Sequence, residues 1–480
     1  MGGRGFIFLA GTLAAGLAMA APASAASIEV TTTNDELDGA PDATCSLREA
    51  VQSANQNFAT GGCSKGQANK TDVIDLSAEV YELDIPTTDD GLNVNGDLDI
   101  GSGGDITIRG TGSDETQIST SLDDRIIEFN AFDQVLALER LEVTGGFAAD
   151  NTPDSGGNVY AAQGKLKMKN VLSSNSFAAV GGAIALESGS TGQLKDTTVT
   201  GAGAELEGGA IELRNGGKLT IKRSTFEGNE VDQNADIEGG AIRTREGKLV
   251  ISDSAFIDNK VTAGGSGNDT SKGAIFAGHK IDIKRSLFSG NTANGPIATA
   301  NVSGGAIHYL AGENSKIVNS TFFDNDTGES GGAIFTNAGK LEVIHSSFLA
   351  NDGPEGGHLY EGGLGVLTVR NSILATPLLG PSCGATSVLG TVKSLGYNVF
   401  DDETAACPSK AKDKVVNDVG FDSATPEDNG GPTETIGLLK TSKAVDLVPE
   451  KKCEKLDQRG FERPKGPKCD AGAVERGAKP

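Results

Sequence analysis

The sequence predicts an all-β fold, namely a right-handed, single-stranded parallel β-helix with a short N-terminal capping helix and a disulfide-containing C-terminal cap. Three observations lead to this prediction. Two short motifs, GGAI and FxxN, alternate through the middle of the chain, their spacing is nearly constant, and the residues between them alternate between apolar and polar. A motif that recurs every 25 to 33 residues is typical of a solenoid, whose units stack because none can bury its apolar face alone.

The two motifs are separated by one constant and one variable segment. From the second glycine of a GGAI copy to the asparagine of the next FxxN copy there are 18 to 20 residues, whereas the return to the next second glycine takes 6 to 14. All length variation therefore falls in one connection, which we expect to be a loop that leaves the solenoid at one edge. GGAI stands at 181–184, 208–211, 239–242, 304–307 and 331–334, with a variant at 272–275, and FxxN stands at 226–229, 256–259, 288–291, 322–325 and 348–351.

The constant segment is predicted to form strands. Apolar and polar residues alternate in 218–222, 248–251 and 280–284, and a period of two indicates strands with one buried face. Serine, phenylalanine and asparagine follow at matched offsets, as expected where equivalent residues stack about 4.8 Å apart in successive rungs. The asparagine can adopt left-handed backbone and stack its amide in a ladder, and the glycine pair can turn where a Cβ would clash. Helical repeats are disfavoured because no 3.6-residue period is present.

The repeats occupy residues 156–357, with divergent copies at 156–159 and 356–359. They resemble the repeats of polymorphic outer membrane proteins of the chlamydial type. The passenger domains of that family are surface adhesins, so the resemblance implies an adhesin-like scaffold.

Residues 1–25 are predicted to be a signal peptide. Arg4 precedes an apolar run at 6–20 and a small-residue site at 23–25, a pattern typical of Sec-type export. An anchoring helix is the alternative, although the apolar run is short for a membrane span. We therefore expect a secreted or cell-surface protein, with the periplasm or the outer membrane also possible as its location, and no membrane span in the mature chain.

Residues 26–71 are predicted to form an N-terminal cap and 72–382 the β-helix. Ser46 and Glu49 have the spacing of a capping box, and the apolar residues that follow line one face of a short helix. The letters CSLREA at 45–50 resemble the domain named after them, in which the stretches at 96–100 and 106–110 would begin the first rungs.

Residues 383–480 resemble the choice-of-anchor Q domain, which often precedes a surface anchor. The resemblance rests on Gly396-Tyr397-Asn398 and on the segments at 428–433, 444–446, 457–460, 463–464 and 469–473. The alternative is that 383–475 serve only as a C-terminal cap, which solenoids need at their ends.

The six cysteines lie at the two ends of the chain and are absent from the repeats. Sequence-local disulfides are predicted because export permits them and because solenoid ends expose unpaired strands; zinc is the disfavoured alternative, since no CxxC spacing exists. The predicted pairs are Cys45 with Cys63, Cys383 with Cys407, and Cys453 with Cys469.

The net charge of −24 disfavours nucleic acid as a partner, because phosphate binding needs a basic surface. No cofactor is predicted; the alternative is calcium, which binds several oxygens from one loop. Asp97, Asp99 and Asp105 are weak candidates for such a site. The alternative is that these acids are solvated or form turns.

A candidate ligand-binding column follows from the alternation after GGAI. The middle residue of each GGAI strand should point away from the core, and four successive rungs place aromatic rings there, which would form an exposed stripe. The alternatives are that the variable loops cover the rings or that the predicted phase is wrong by one residue. The column reads Ala185, Glu212, Arg243, Phe276, His308, Phe335 and Tyr360. Its first half, with Glu187 beside Arg214 in the parallel column, is interpreted as surface salt bridges of little energy.

The predicted function is a scaffold that binds an extracellular polysaccharide or a surface protein, and a monomer is expected. Phe276, His308, Phe335, Tyr360 and Arg243 are its candidate ligand-binding residues. The alternative is an extracellular polysaccharide lyase or glycoside hydrolase, since many parallel β-helices cleave acidic glycans, although the fold alone does not license an activity. For a lyase, the sequence offers the bases Arg243, Arg245, His279, Lys280, His308 and Tyr309, but no carboxylate cluster beside them.

Overall fold

A computed structural model describes residues 26–479, except 39–42, 87–92, 102, 149–152, 234–235, 265–269, 296–300, 311, 387–390, 402–406 and 408. The predicted signal peptide at 1–25 lies outside the described residues.

The chain forms a parallel β-helix whose main sheet consists of three columns of strands. Two long strands, Ile127–Thr144 and Val159–Ser174, run through all three columns. The first column also contains Leu98–Ile100, Ile184–Leu186, Ile211–Leu213, Ile242–Thr244, Ile275–Ala277, Ile307–Tyr309, Ile334–Thr336, Leu359–Glu361 and Cys383–Ala385. The second contains Ala26–Glu29, Thr71–Asp75, Asp105–Arg109, Thr191–Lys195, Lys218–Lys222, Lys248–Ser252, Ile281–Lys284, Asn314–Val318, Lys340–Ile344, Val366–Arg370 and Thr391–Gly396. The third contains Val80–Leu83, Gln117–Thr120, Thr198–Thr200, Thr225–Glu227, Ala255–Ile257, Leu287–Ser289, Thr321–Phe323, Ser347–Leu349, Ile373–Ala375, Val399–Phe400 and Lys414–Val415.

The connection of variable length is not a simple loop, because it forms a second parallel sheet. Its strands are short, so they carry too few residues to show a clear alternation in the sequence. They are Phe177–Val180, Gly203–Glu207, Glu230–Gln233, Ile237–Glu238, Lys260–Ala263, Thr270–Lys272, Thr292–Asn294, Asn301–Ser303 and Asp326–Thr327.

The phenylalanines of the FxxN motifs stack inside the main core, as the register predicts. Neighbouring ring centroids lie 4.7–5.1 Å apart and the rings are within 7° of parallel. All of the stacked side chains are fully buried, so each rung contributes one ring to a continuous apolar column. The rings belong to Phe226, Phe256, Phe288, Phe322 and Phe348.

The FxxN asparagines form the predicted amide ladder. Each Nδ2 donates to the Oδ1 of the next asparagine over 2.8–3.0 Å, from Asn229 to Asn351. The prediction that these asparagines adopt left-handed backbone is wrong: the left-handed residue is the one before each, with φ between +52° and +65° at Gly228, Asp258, Gly290, Asp324 and Ala350. The turn is thus made one residue earlier, which leaves the asparagine extended enough to face its neighbours.

The glycine pair turns the chain as predicted. The first glycine has positive φ, for example +62° at Gly208, a conformation that side chains with a Cβ rarely adopt. The second glycine has no space for a Cβ, which at Gly209 would collide with the carbonyl oxygen of Gly240 in the next rung. Both positions therefore require glycine for different reasons.

A capping helix, Leu47–Gln56, packs at the N-terminal end. The Ser46–Glu49 capping box is formed, and the helix buries its apolar face, which confirms the prediction. Arg48 is also fully buried: it donates to both carboxylate oxygens of Asp35 and to the carbonyls of Gly96 and Asp97 over 2.7–2.9 Å. Ala26–Glu29, which was assigned to the cap, already pairs in parallel with Thr71–Asp75.

The C-terminal region has two parts. Residues 383–415 add the last strands, and the Cys383–Cys407 disulfide lies within the main core at this end. Residues 416–478 instead pack along the flank of the third column, where Asn319, Thr321 and Ser347 form hydrogen bonds with Leu456, Gln458 and Ala473. This packing was not predicted.

All three predicted disulfides are present, since Cys45–Cys63 and Cys453–Cys469 also pair. Within the described residues, no helix combines the length and the apolar character that crossing a bilayer requires.

Candidate functional site

The candidate column lies in register on the outer side of the first column of strands. Glu212 pairs with Arg243, Arg243 with Phe276, and each later member with the next as far as Tyr360. The isoleucines beside them belong to the main core, so the predicted phase is correct and these side chains point away from that core.

The prediction of an exposed aromatic stripe is wrong. Phe276, His308 and Tyr360 are only 2–3% exposed, and Phe335 is half-buried. The rings do stack from rung to rung, with centroids 5.4, 4.6 and 5.7 Å apart. They are buried because the variable connection folds over them as the second sheet, which was the alternative left open by the sequence.

The second sheet faces the column through the residues that precede the glycine pairs and through Lys272, which precedes the single glycine of the variant copy. Successive residues of this kind pair in register, as Glu238 does with Lys272 and Lys272 with Ser303. They contact the column residue in the same turn: Glu238 accepts from Arg243 over 3.2 Å, and Ser303 Oγ lies 2.8 Å from His308 Nδ1. The Lys272 ammonium lies 5.6 Å from the centroid of the Phe276 ring.

The charged end of the column is a buried ion-pair network and not a set of surface salt bridges. Arg243 is 3% exposed and Glu212, its partner in the next rung, is 1% exposed. Arg243 also lies 2.8 Å from Glu207 and 3.2 Å from Glu238. Arg214 contacts Glu207, Glu212 and Glu187 over 3.1–3.5 Å, so the predicted pair of Glu187 with Arg214 belongs to the same network.

This network makes stability depend on pH. Burial raises the pKa of Glu212 from 4.5 to about 8, although Arg243 opposes the rise. Between these values the folded protein keeps a proton that the unfolded chain releases, so the contribution of Glu212 is fully present below its unfolded pKa and is lost as pH rises through about 8.

We expect Glu212→Gln to remove this contribution. Unfolding midpoints in urea, measured at pH 5.5 and 8.5, should fall with pH in the unmodified protein and fall less in the variant. Identical pH dependence in both proteins would contradict this interpretation of the network.

The aromatic end of the column opens into a lateral cleft with a volume of about 440 Å³. His308, Phe335 and Tyr360 line its floor, and the variable connections supply Lys272, from a strand of the second sheet, together with Glu329 and Glu355. Tyr360 donates its hydroxyl proton to Glu355 over 2.9 Å, and Ser330 donates to the same carboxylate oxygen over 3.2 Å. The sequence showed no carboxylate cluster beside the lyase candidates, whereas the fold brings Glu329 and Glu355 into one cleft.

A sequence signal for the missed residues exists. Glu355 precedes a glycine pair and stands five residues before Tyr360, as Glu238 stands before Arg243 and Ser303 before His308. Each of these three pairs is hydrogen-bonded. The spacing therefore marks contacts between the two sheets. Glu329 has a different offset and follows only from the structure.

Two side chains of the cleft, His308 and Tyr360, have pKa values far from neutral pH. Burial, followed by the charge of Lys272, lowers the pKa of His308 to about 3, so its imidazole is neutral at physiological pH. Burial and the contact with Glu355 raise the pKa of Tyr360 to about 12. Burial also raises the pKa of Glu329, and the nearby charge of Glu355 adds to the rise. Among the described residues, His308 Nε2 is buried and has no hydrogen-bond partner.

The other sequence candidates lie outside this cleft. Tyr309 is buried in the main core and its hydroxyl lies 2.8 Å from Ser315 Oγ. His279 lies 3.5 Å from Glu313, and Arg245 is largely exposed beside the ion-pair network. The bases collected for a lyase are therefore not brought together.

The calcium candidates occupy separate positions. Asp97 lies 3.2 Å from Arg125, Asp99 accepts from the amide of Asn93, and Asp105 accepts from the amide of Val135. Across the parts of the chain that the structure describes, no group of three or more histidine, cysteine, aspartate or glutamate side chains is placed to hold a metal ion. Calcium binding stays a prediction.

Comparison with known proteins does not assign a function to the site, so the site is interpreted from its geometry. No protein-family model matches the sequence, and no curated protein matches it either.

Proposed function

We propose that this protein is a secreted or cell-surface β-helix scaffold that binds an extracellular glycan in the lateral cleft. The observation that supports this most is the combination, in one cleft, of a half-buried ring with hydrogen-bonding groups on both sides. Phe335 offers an apolar face, while Glu329, Glu355 and Lys272 offer polar atoms.

This combination suits a sugar ring. The C–H face of a sugar packs against an aromatic side chain, and its hydroxyls need donors and acceptors placed around that ring. The Phe335 ring is backed by His308 at 4.6 Å and by Tyr360 at 5.7 Å, which restricts its movement. A ring already held in place loses little conformational entropy on binding.

The charges of the cleft favour a neutral sugar over a uronate. Glu329 and Glu355 lie close enough that the charge of Glu355 raises the pKa of Glu329. The Lys272 ammonium, the positive group in the lining, is hydrogen-bonded to Glu238 over 2.9 Å. A carboxylated ligand would therefore meet uncompensated negative charge.

Binding is better supported than catalysis. A general acid or base works best with a pKa near the operating pH, yet the pKa of His308 is about 3 and that of Tyr360 about 12. Neither group exchanges a proton readily near neutral pH. This argues against the lyase alternative, whereas a hydrolase would use paired carboxylates such as Glu329 and Glu355, and the experiment below decides that alternative.

Location at the cell surface is proposed from features outside the cleft. The apolar N-terminus and the disulfides suit an exported protein. The resemblances to polymorphic outer membrane protein repeats, to the CSLREA domain and to the choice-of-anchor Q domain support surface display and adhesion.

The test is a screen of neutral and acidic oligosaccharides by calorimetry, with chromatography of the ligand afterwards. We expect a neutral oligosaccharide to bind without being cleaved. Phe335→Ala should weaken its binding about tenfold, because the apolar face of the site is lost. The matched control is Phe132→Ala, since Phe132 is 74% exposed and lies outside the cleft.

Two results would contradict the proposal. One is that Phe335→Ala binds as tightly as the unmodified protein, which would place the site elsewhere. The other is that chromatography shows shortened oligosaccharides, which would make the protein an enzyme.

A further inference from the structure

The outward face of the second column carries a continuous field of lysines. Strands of this column alternate inward apolar residues with outward polar ones, as in Lys218–Lys222, where Leu219 and Ile221 are buried. Lysine recurs at the outward positions in successive rungs: Lys218 pairs with Lys248, and Lys195 with both Lys169 and Lys222. The lysines on this face are Lys165, Lys167, Lys169, Lys195, Lys218, Lys222, Lys248, Lys280, Lys284, Lys316 and Lys340.

This concentration is unexpected in a chain with a net charge of −24. The carboxylates at outward positions of the same rungs are fewer, namely Asp282 and Glu342, with Glu139 in the rung before. Positive charge is thus separated onto one face of an acidic protein. Such separation creates a local potential that the net charge hides.

The acids at the border of this face already have arginine partners. Asp196 binds Arg223 with contacts of 2.6 and 2.9 Å, and Asp253 binds Arg285 in the same way. The hydrogen bond from Arg223 lowers the pKa of Asp196, and the charges of Lys195 and Lys169 add to this effect. Because each of these acids already has an arginine partner, it compensates little of the neighbouring lysine charge.

Most lysines of the face have no ion pair within the part of the chain that the structure describes. Lys195 lies 3.9 Å from Asp196, Lys284 lies 3.3 Å from Asp282, and Lys316 lies 3.6 Å from Glu342. The remaining lysines form none. Lys167, Lys169 and Lys222 are among those that are exposed.

We propose that this lysine face binds a linear acidic polysaccharide. Between Lys165 and Lys340 the rungs span on the order of 30 Å at about 4.8 Å per rung. A straight row of ammonium groups of this length matches an extended chain of carboxylates or sulfates. Binding releases counterions from such a chain, which favours association at low salt.

The surface chemistry favours a polysaccharide over a nucleic acid. Single-stranded nucleic acid is held by aromatic or arginine side chains that stack on its bases. The outward positions of these rungs, from residue 165 to residue 344, carry neither aromatic residues nor arginines. This face could therefore recognise only the charged backbone of a nucleic acid and not its bases.

The lysine face is separate from the lateral cleft, because it belongs to the second column and the cleft lies on the first. The two proposals can therefore be tested, and refuted, independently of each other. A variant of the lysine face should leave neutral sugar binding unchanged, and Phe335→Ala should leave polyanion binding unchanged.

The experiment uses the full chain and polygalacturonate as the probe. One variant combines Lys167→Gln, Lys169→Gln, Lys195→Gln and Lys222→Gln. The control combines Lys410→Gln, Lys412→Gln, Lys440→Gln and Lys443→Gln, which removes the same charge from exposed positions outside the second column. Binding is measured by biolayer interferometry from 25 to about 300 mM salt, the range in which polyanion affinities change most.

We expect the unmodified protein and the control to bind polygalacturonate with an affinity that decreases as salt increases. The lysine-face variant should bind about tenfold more weakly or worse, and with a shallower salt dependence. Equal binding by both variants would overturn the proposal, as would absence of binding by the unmodified protein. Equal or tighter binding to duplex DNA or to vesicles with anionic lipid would also overturn it, because the face would then not select a polysaccharide.

Discussion

Replacement of Arg243 by alanine is expected to destabilise the protein by about 3–5 kcal/mol. Arg243 is the centre of the buried network and contacts Glu207, Glu212 and Glu238. At neutral pH, where Glu212 keeps its proton, removal of Arg243 would leave the carboxylates of Glu207 and Glu238 with less positive charge beside them. Removing one member of a buried ion pair costs this much because the remaining charge is left uncompensated in a medium that solvates it poorly. Urea unfolding followed by circular dichroism measures the change.

Arg245→Ala is the matched control. Arg245 contacts Glu207 and Glu238 at 3.5 and 3.3 Å, but its side chain is 58% exposed. An exposed pair contributes about 1 kcal/mol or less, so the control should unfold almost as the unmodified protein does. If both variants were equally destabilised, burial would not be the reason for the importance of Arg243.

Phe288→Ala is expected to cost about 3–5 kcal/mol. Its ring lies between Phe256 and Phe322, with centroid distances of 5.1 and 4.8 Å, and is fully buried. Alanine would remove both contacts and leave a cavity in the middle of the solenoid. The cavity cannot be filled easily, because the rungs on either side are fixed by backbone pairing. The same denaturation measurement applies.

Phe288→Leu provides the comparison for this cavity. Leucine keeps most of the volume, so its cost should be about 1.5 kcal/mol or less. Phe132→Ala should have almost no effect, since that ring is 74% exposed. A small effect of Phe288→Ala would show that neighbouring rungs can move together to close the space.

The main core could be predicted from the sequence because the constant segment obeys two local rules. Alternation with a period of two decides which residues point inward, and the glycine pair decides where the chain turns. Once equivalent residues stack, the phenylalanine column and the asparagine ladder follow directly. The capping helix was predictable for a similar reason, since Ser46 and Glu49 satisfy the first backbone amides locally.

The environment of the aromatic column could not be predicted in this way. Alternation places Phe276 and His308 on the outer side of a strand, but it does not show what lies against that side. The second sheet that buries them has strands as short as Ile237–Glu238, too short for a periodic pattern. Tertiary packing over the column decides the exposure of these rings, and with it the shape of the cleft.

The flank packing of the C-terminal region escaped prediction for another reason. Residues 416–478 contain none of the named strands. They are held by a second buried apolar cluster, which joins Ile373 to Val419 and Val448, and by hydrogen bonds such as Gln458 to Thr321 and Ala473 to Ser347. These contacts join residues 126 and 137 positions apart. No local pattern identifies partners at such distances.

The division of each turn into a constant and a variable segment has a consequence for evolution. The constant segment builds the core, whereas the variable one builds the second sheet, which forms a wall of the lateral cleft. An insertion or deletion between an asparagine and the next glycine pair would reshape that wall and leave the phenylalanine and asparagine stacks in register. Homologous chains can therefore acquire new ligands by changes in length, at sites where the stability of the scaffold does not constrain them.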